Sequence, residues 1–330
     1  MTLLHRILLI AGVALLCLAP FALYPLFLIK LMCFALLAAS LNLLIGYAGL
    51  LSFGHAMFYG AASYVTGYML KAYGVDGMVG LLAGVAVAAC LGFLTGLLAI
   101  RRQGIAFSMI TLAFAQLMYF VALRVPFTGG EDGLQSVPRP MFLGVIPTED
   151  NLAMYYVTLV IVSFGFWLIY RTVYSPFGQV LKSIRDNEPR ALSLGYQVNR
   201  YKLVAFTLSA ALAGLAGATK VIALQLATLA DVSWTTSGEA LLICIVGGLQ
   251  TLLGPVVGAA VIVSMEHFLA SAAEWVLIIQ GAVFVVVVML FRNGIVGQIR
   301  AFLGERARRR GAGSAPATAA VPGRASAGEA

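Results

Sequence analysis

Charge is what this chain has least of. Only 10% of its 330 residues are Asp, Glu, Lys or Arg, whereas 61% are hydrophobic and the mean hydropathy is +0.97. A water-exposed surface cannot be assembled from that composition, so a soluble domain is excluded and a polytopic membrane protein is expected. Catalytic motifs are missing as well: there is no GxxxxGK[ST], no HExxH and no GxSxG, and no lysine follows a glycine. Without a P-loop the chain cannot cradle ATP, and no nucleophile or metal set marks a membrane enzyme. The four cysteines, Cys17, Cys33, Cys90 and Cys244, lie in apolar runs without CxxC spacing or histidine neighbours. They read as small buried hydrophobes, and neither a metal nor a cofactor is expected. Ionisable groups in mid-span, which proton- or sodium-coupled transport needs, are not evident, so energy is expected from a separate subunit.

What the chain does have is apolar blocks of the length that crosses a hydrocarbon core, roughly 17 to 25 residues. They run from Ile7 to Tyr24, Leu26 to Gly46, Phe53 to Ala72, Met78 to Ile100, Ile105 to Leu123, Asn151 to Tyr170 and Leu203 to Ile222. The first follows one arginine, as a signal peptide would, but no small-residue cleavage site precedes Phe21, so it reads as a retained helix. The net charge of +8 is explained by topology rather than by nucleic acid. Sixteen of the 21 basic residues fall at Arg6, Arg101–Arg102, the stretch Arg171 to Lys202 and the tail from Arg292, all on one side and therefore cytoplasmic. The stretch Arg124 to Asp150, with Glu131, Asp132, Glu149 and Asp150, falls outside. Parity then requires an odd number of crossings between Ala223 and Arg292. Splitting the apolar run Glu239 to Leu269 at Gly247 to Pro255 supplies it, with a short eighth span. The expectation is an all-α polytopic membrane protein of about ten transmembrane helices with both termini cytoplasmic. Its transmembrane domain covers 1–303, and the Ala-, Gly-, Pro- and Arg-rich tail 304–330 is expected to be disordered.

Small residues every four positions mark close helix packing in lipid. One such stripe is Gly80, Gly84, Ala88, Gly92 and Gly96; another is Ala205, Ser209, Ala213 and Gly217. Two stretches are interrupted by glycine: Asn42 to His55, and Gly247 to Pro255. Interrupted helices at membrane depth free backbone polar groups, which is tolerated where they are buried in protein or line a cavity, and paired interruptions point to a substrate path. Its candidates are Asn42, Gly46, Tyr47, Gly49, Ser52, Gly54, His55, Gly247 and Gly248, with Thr111, Gln116 and Glu239 as further polar positions. His55 reads first as a satisfied structural histidine and second as a path residue. Lys30, Lys71 and Lys220 sit near outer ends, from which their ammonium groups are expected to snorkel.

Arg171 to Lys202 is the one long polar segment that also has a helical pattern. Ser175 stands as N-cap before Pro176, and Pro189 is expected to divide the amphipathic run Pro176 to Leu194 into two short helices.

Several long motifs, ALLAASLNLLIGYAGLLSFGHAMFYGAASYVTGYML at Ala35 to Leu70, TGGEDGL at Thr128 to Leu134, SPFGQVLKSIRDNEPRALSLG at Ser175 to Gly195 and WTTSGEALLICIVGGLQTLLGP at Trp234 to Pro255, closely resemble LivM-type permeases of branched-chain amino-acid ABC importers. The resemblance runs in order over about residues 26–300. It implies an inner-membrane hetero-oligomer of this chain, a sister permease, two ATP-binding subunits and a periplasmic binding protein. The loop Ser175 to Gly195 would dock in the ATPase cleft through Gly178, Arg185, Asp186, Asn187, Glu188, Arg190 and Gly195. Pro189 departs from the helix-former more usual there. Thr128, Gly129, Gly130, Glu131 and Asp132 would face the binding protein, although a plain glycine turn explains them equally well. A cargo such as urea or an amide stays open, as does a self-sufficient secondary transporter.

Overall fold

The computed structural model describes residues 19–269 apart from 22, 143–147 and 149, together with scattered positions between 275 and 298. The apolar blocks form the helices α1 (Pro25–Asn42), α2 (His55–Tyr73), α3 (Gly77–Ala99), α4 (Ile105–Arg124), α5 (Asn151–Val173) and α8 (Val198–Leu224). The polar segment forms α6 (Pro176–Asp186) and α7 (Glu188–Ser193), and the late apolar run forms α9 (Trp234–Gly247) and α10 (Gly254–Leu269). Among the described residues, five helices are long and apolar enough to cross a membrane: α1 with its extension to Ala48, α3, α4, α5 and α8. The expected first and tenth spans and the 304–330 tail lie wholly or largely outside the described residues.

Local chemistry sets the helix ends. Pro25 opens α1 where its missing N–H costs nothing. Asp76 and Asp150 cap α3 and α5 by accepting the N–H groups of Met78 (2.8 Å) and Leu152 (3.3 Å). Ser175 caps α6 by accepting the Gly178 N–H at 3.3 Å. The division expected at Pro189 occurs two residues earlier. Asn187 is extended and caps α7 through Arg190 N–H at 3.0 Å, and Pro189 sits in the first turn of α7.

Helices α1 and α8 form the buried centre, with α2, α3, α9 and α10 packed against them. The small stripe of α3 packs as expected, but on an α8 stripe one residue over from the one read in the sequence. A Cβ on Gly92 would stand 2.3 Å from Ala210 Cβ, and one on Gly84 would stand 3.3 Å from Ala218 Cβ. Ser209 and Gly217 instead face α1 and α2, so α8 presents small residues on two sides. Helices α3, α4 and α5 leave large apolar side chains exposed, among them Leu98, Met109 and Val160, as a lipid-facing surface requires. Cys90 faces outward as well, against the expectation that it is buried, whereas Cys33 and Cys244 are buried; Cys17 lies outside the described residues.

Candidate functional site

The two interrupted stretches meet. The first does not break at Gly46: α1 widens into a π-helical turn over Leu43–Ala48 and stops at Gly49, whose φ is +71°. The second break, residues 248–253, turns the chain between α9 and α10 and lies against that π turn. Asn42 Nδ2 donates to the Thr251 carbonyl (2.9 Å), and its Oδ1 accepts the Gln250 N–H (3.2 Å). Tyr47 Oη donates to the Gln250 carbonyl at 2.9 Å. Such closeness needs glycine: a Cβ on Gly46 would stand 2.9 Å from Gln250 N, and one on Gly247 would stand 1.8 Å from the Gly254 oxygen. Three side-chain hydrogen bonds therefore join backbone groups that neither helix can satisfy internally. Gly248 belongs to the same turn, its carbonyl accepting Thr251 Oγ1 at 2.7 Å.

The rest of the first interruption, residues 49–54, is held by α4 and α8. Ser108 Oγ donates to the Leu51 carbonyl (2.7 Å), Thr111 Oγ1 accepts the Phe53 N–H (3.2 Å) and Ser52 Oγ accepts the Gly54 N–H (3.2 Å). Ser209 Oγ donates its hydrogen to the Ser40 carbonyl (2.6 Å), so the 2.8 Å contact with fully buried His55 must be donated by His55 Nε2. Thr111, Ser52 and His55 thus anchor the segment beside the clasp. Gln116 is half-buried on α4 and hydrogen-bonds to none of these elements.

The polar loop reaches the clasp directly. Arg185 Nη1 on α6 donates to the Gly46 carbonyl inside the π turn, and its aliphatic stem covers Gly49. Lys182 lies over the rings of Tyr47 (5.7 Å) and Tyr174 (5.6 Å). Glu188 on α7 accepts from Lys202 on α8 (2.8 Å) and from Gln103 between α3 and α4 (2.9 Å). Lys202 is only 4% exposed, so this pair is structural. These groups line an open cleft of about 420 Å³ bounded by Gly49, Gly104, Arg185, Glu188 and Lys202. Of the polar centre read in the sequence, Arg185 and Glu188 therefore turn inward. Asp186, Asn187 and Arg190 face solvent, with Gly195 ending the element at φ +86°. Gly178 is buried because a Cβ there would stand 2.4 Å from the Thr172 and Val173 carbonyls. Leu192, Leu194 and Tyr196, on and just after α7, are exposed large side chains that the sequence reading did not place on this face.

At the opposite end, Thr128 is buried and donates to the carbonyls of Ala122 and Val125, while Gly129 and Gly130 take positive φ. That part is a glycine turn. Within Thr128 to Asp132, Glu131 and Asp132 are exposed and carry the charge.

One expectation about ionisable groups is overturned. Lys220 does not snorkel: it is 7% exposed and pairs with Asp231 at 2.6 Å. Near other helix ends further ionisable groups find partners. Lys30 on α1 pairs with Glu266 on α10 at 3.3 Å, and Glu239 on α9 has a buried Oε1. These partners are up to 236 residues apart, so no local spacing could reveal them. Lys71 donates to the Gln135 carbonyl at 2.9 Å.

Known proteins place this architecture. Residues 24–288 match the family described as the permease component of branched-chain amino acid transport systems. The chain is 26% identical over 293 residues to the high-affinity branched-chain amino acid transport system permease protein LivM of Salmonella typhimurium. It is 25% identical over 292 residues to LivM of Escherichia coli K12; each match covers 82% of this chain and 69% of the relative. The autoinducer 2 import system permease protein LsrC of Klebsiella pneumoniae is 30% identical over 223 residues, covering 62% of this chain and 60% of that protein. No solved structure matches. With a family match over residues 24–288 and a bundle clasped at two interrupted helices, the chain belongs to the branched-chain amino acid transport system permease family.

Proposed function

We propose that this chain is a transmembrane subunit of an ATP-binding-cassette importer that carries branched-chain amino acids into the cytoplasm. ATP would be hydrolysed on separate subunits seated against α6 and α7. The carrying observation is the Arg185–Gly46 hydrogen bond, which joins the docking helix to the backbone of the clasp with no intermediary. A displacement of α6 would pull on the π turn, and the π turn holds Gln250 and Thr251 through Asn42 and Tyr47. The clasp is then the closed cytoplasmic gate, and release of these few hydrogen bonds opens the route between α1, α9 and α10. Leu192, Leu194 and Tyr196, with the exposed Asn187 and Arg190, form the face offered to the ATPase. Glu131 and Asp132 would meet the binding protein at the periplasmic end, and a sister permease would complete the pore in the bacterial inner membrane.

The test is uptake. Membrane vesicles from cells lacking the chain should lose ATP-dependent accumulation of leucine, isoleucine and valine and regain it on re-expression. Gradient-driven uptake by the purified chain alone in proteoliposomes would overturn the reading. A different cargo for the same machine is favoured by one finding, the LsrC relative, whose name assigns it autoinducer 2. Vesicles that import another solute but no branched-chain amino acid would establish that alternative.

A further inference from the structure

One cation of the polar loop is left without an anion. Asp186 is taken by Arg185 at 2.6 Å and Glu188 by Lys202 at 2.8 Å. Lys182, one turn before Asp186 on α6, pairs with no carboxylate or carbonyl among the described residues. Its ammonium lies instead between the rings of Tyr47 (5.7 Å) and Tyr174 (5.6 Å). Aromatic faces hold a cation through their quadrupoles, but they do not accept its N–H groups as oxygen would. The outer face of α6 is formed by the exposed Gln179, Ser183 and Asp186. Lys182 is half-buried on another flank, against the π turn and the end of α5, which places it at the membrane boundary.

Beside that ammonium begins an exposed aromatic stripe. Tyr174 caps the end of α5, and the outward face of that helix carries Arg171, Trp167, Phe164 and Val160 before it, at alternating spacings of three and four residues. Val162, Gly165, Ile169 and Val173 fill the opposite, buried face. Trp167 is 55% and Tyr174 60% exposed. The rings of Tyr170 and Tyr174 are 4.6 Å apart, and those of Phe164 and Trp167 are stacked at 5.8 Å. Along the axis Trp167 stands about 10 Å and Phe164 about 15 Å from Tyr174. Tryptophan and tyrosine near a span's end, with basic side chains at its foot, form the pattern of an interface anchor. Arg171 lies in the last turn of α5, exposed, and like Lys182 has no hydrogen-bond partner among the described residues.

We propose that Lys182 and Arg171 take the phosphate of an anionic phospholipid of the cytoplasmic leaflet, whose acyl chain lies along Trp167, Phe164 and Val160. The phosphate oxygens accept the hydrogen bonds that the two rings cannot, while Tyr47 and Tyr174 hold the ammonium in place. Phosphatidylcholine carries the same phosphate next to a cation of its own, so the site prefers a lipid with net negative charge. Through Tyr47, whose hydroxyl donates to the Gln250 carbonyl, the occupied site touches the clasp. The assignment is independent of the cargo.

Trp167 is itself the probe. The full chain carrying Trp234→Phe and Trp275→Phe keeps it as the single tryptophan, and brominated phospholipids quench a tryptophan that they touch. In proteoliposomes of phosphatidylcholine, brominated phosphatidylglycerol should quench at about five-fold lower mole fraction than brominated phosphatidylcholine, the weight of one cation at an anionic surface. High salt should shrink that preference. Lys182→Gln should remove most of it, Arg171→Gln part of it, and Lys182→Arg should keep it. Lys182→Met, which retains an unbranched stem between the rings, takes the place of Lys182→Gln should that chain fail to accumulate. Equal quenching by the two lipids, or an undiminished preference without the Lys182 ammonium, would overturn the site. Quenching by neither lipid would show that a protein chain covers the stripe, which also overturns it. Loss of the preference on adding inorganic phosphate at constant ionic strength would reveal a free-anion site and defeat the lipid assignment.

Discussion

Replacing Asn42 by alanine should open the clasp. Asn42 is 3% exposed and makes two of its three hydrogen bonds, to Thr251 O at 2.9 Å and from Gln250 N at 3.2 Å. A buried hydrogen bond contributes about 1 kcal/mol net, and each stranded backbone partner adds a desolvation cost unless water enters. The closed form should therefore lose about 2–3 kcal/mol relative to any form in which residues 248–253 have moved away. That raises the open population roughly 30- to 150-fold, since every 1.4 kcal/mol is a factor of ten. Loss of the Tyr47 hydroxyl, a single 2.9 Å bond to Gln250 O, should shift it only about five-fold. The assay is thiol labelling of a cysteine placed at Leu249, 37% exposed, in right-side-out and inverted vesicles. Asn42→Ala should accelerate labelling strongly in inverted vesicles, Tyr47→Phe mildly, and the double variant by about the product. An Asn42→Ala chain that accumulates normally and labels at the wild-type rate would refute the gating role of these bonds.

Two further outcomes follow from contacts elsewhere. Glu188→Ala should strand the buried ammonium of Lys202 and lower stability by about 3 kcal/mol, whereas Glu188→Leu combined with Lys202→Met should recover most of it; thermal unfolding in detergent separates the two. Gly217→Ala should cost about 1–3 kcal/mol, because the new Cβ would stand 2.0 Å from the Tyr59 carbonyl oxygen, while Gly238→Ala, with nothing within 4 Å, should be neutral or stabilising; the same unfolding assay checks the contrast.

The interrupted stretches show how far local pattern reaches. Gly46, Gly49, Gly247 and Gly248 marked both irregular segments correctly, because glycine is required wherever backbone approaches backbone or φ turns positive. The pattern did not say that the first segment is a π turn, or that Asn42 and Tyr47 reach Gln250 and Thr251, more than 200 residues away. The polar loop behaved similarly. Ser175, Pro176 and Pro189 announced two short helices, but which side chains point outward was legible only in part. Arg185 and Glu188, read as facing the ATPase, are drawn inward by a carbonyl and a lysine on other helices.

The sequence by itself determined the membrane class, the apolar helices, the division at 247–255 and the two short helices of the polar loop, since hydropathy, helix length and capping act over a few turns. It left the ion pairs undetected. Lys30 and Lys220 looked like residues able to reach the surface, Glu239 like a polar position of the path, and Glu266 drew no reading, because a charge in an apolar run acquires its meaning from partners on other helices. Only the tertiary structure decided that Lys30 pairs with Glu266 and Lys220 with Asp231, and that the two interruptions close on each other. The physical reason is the same in both cases: inside lipid every polar group must find a partner, and which partner it finds is set by how the helices pack.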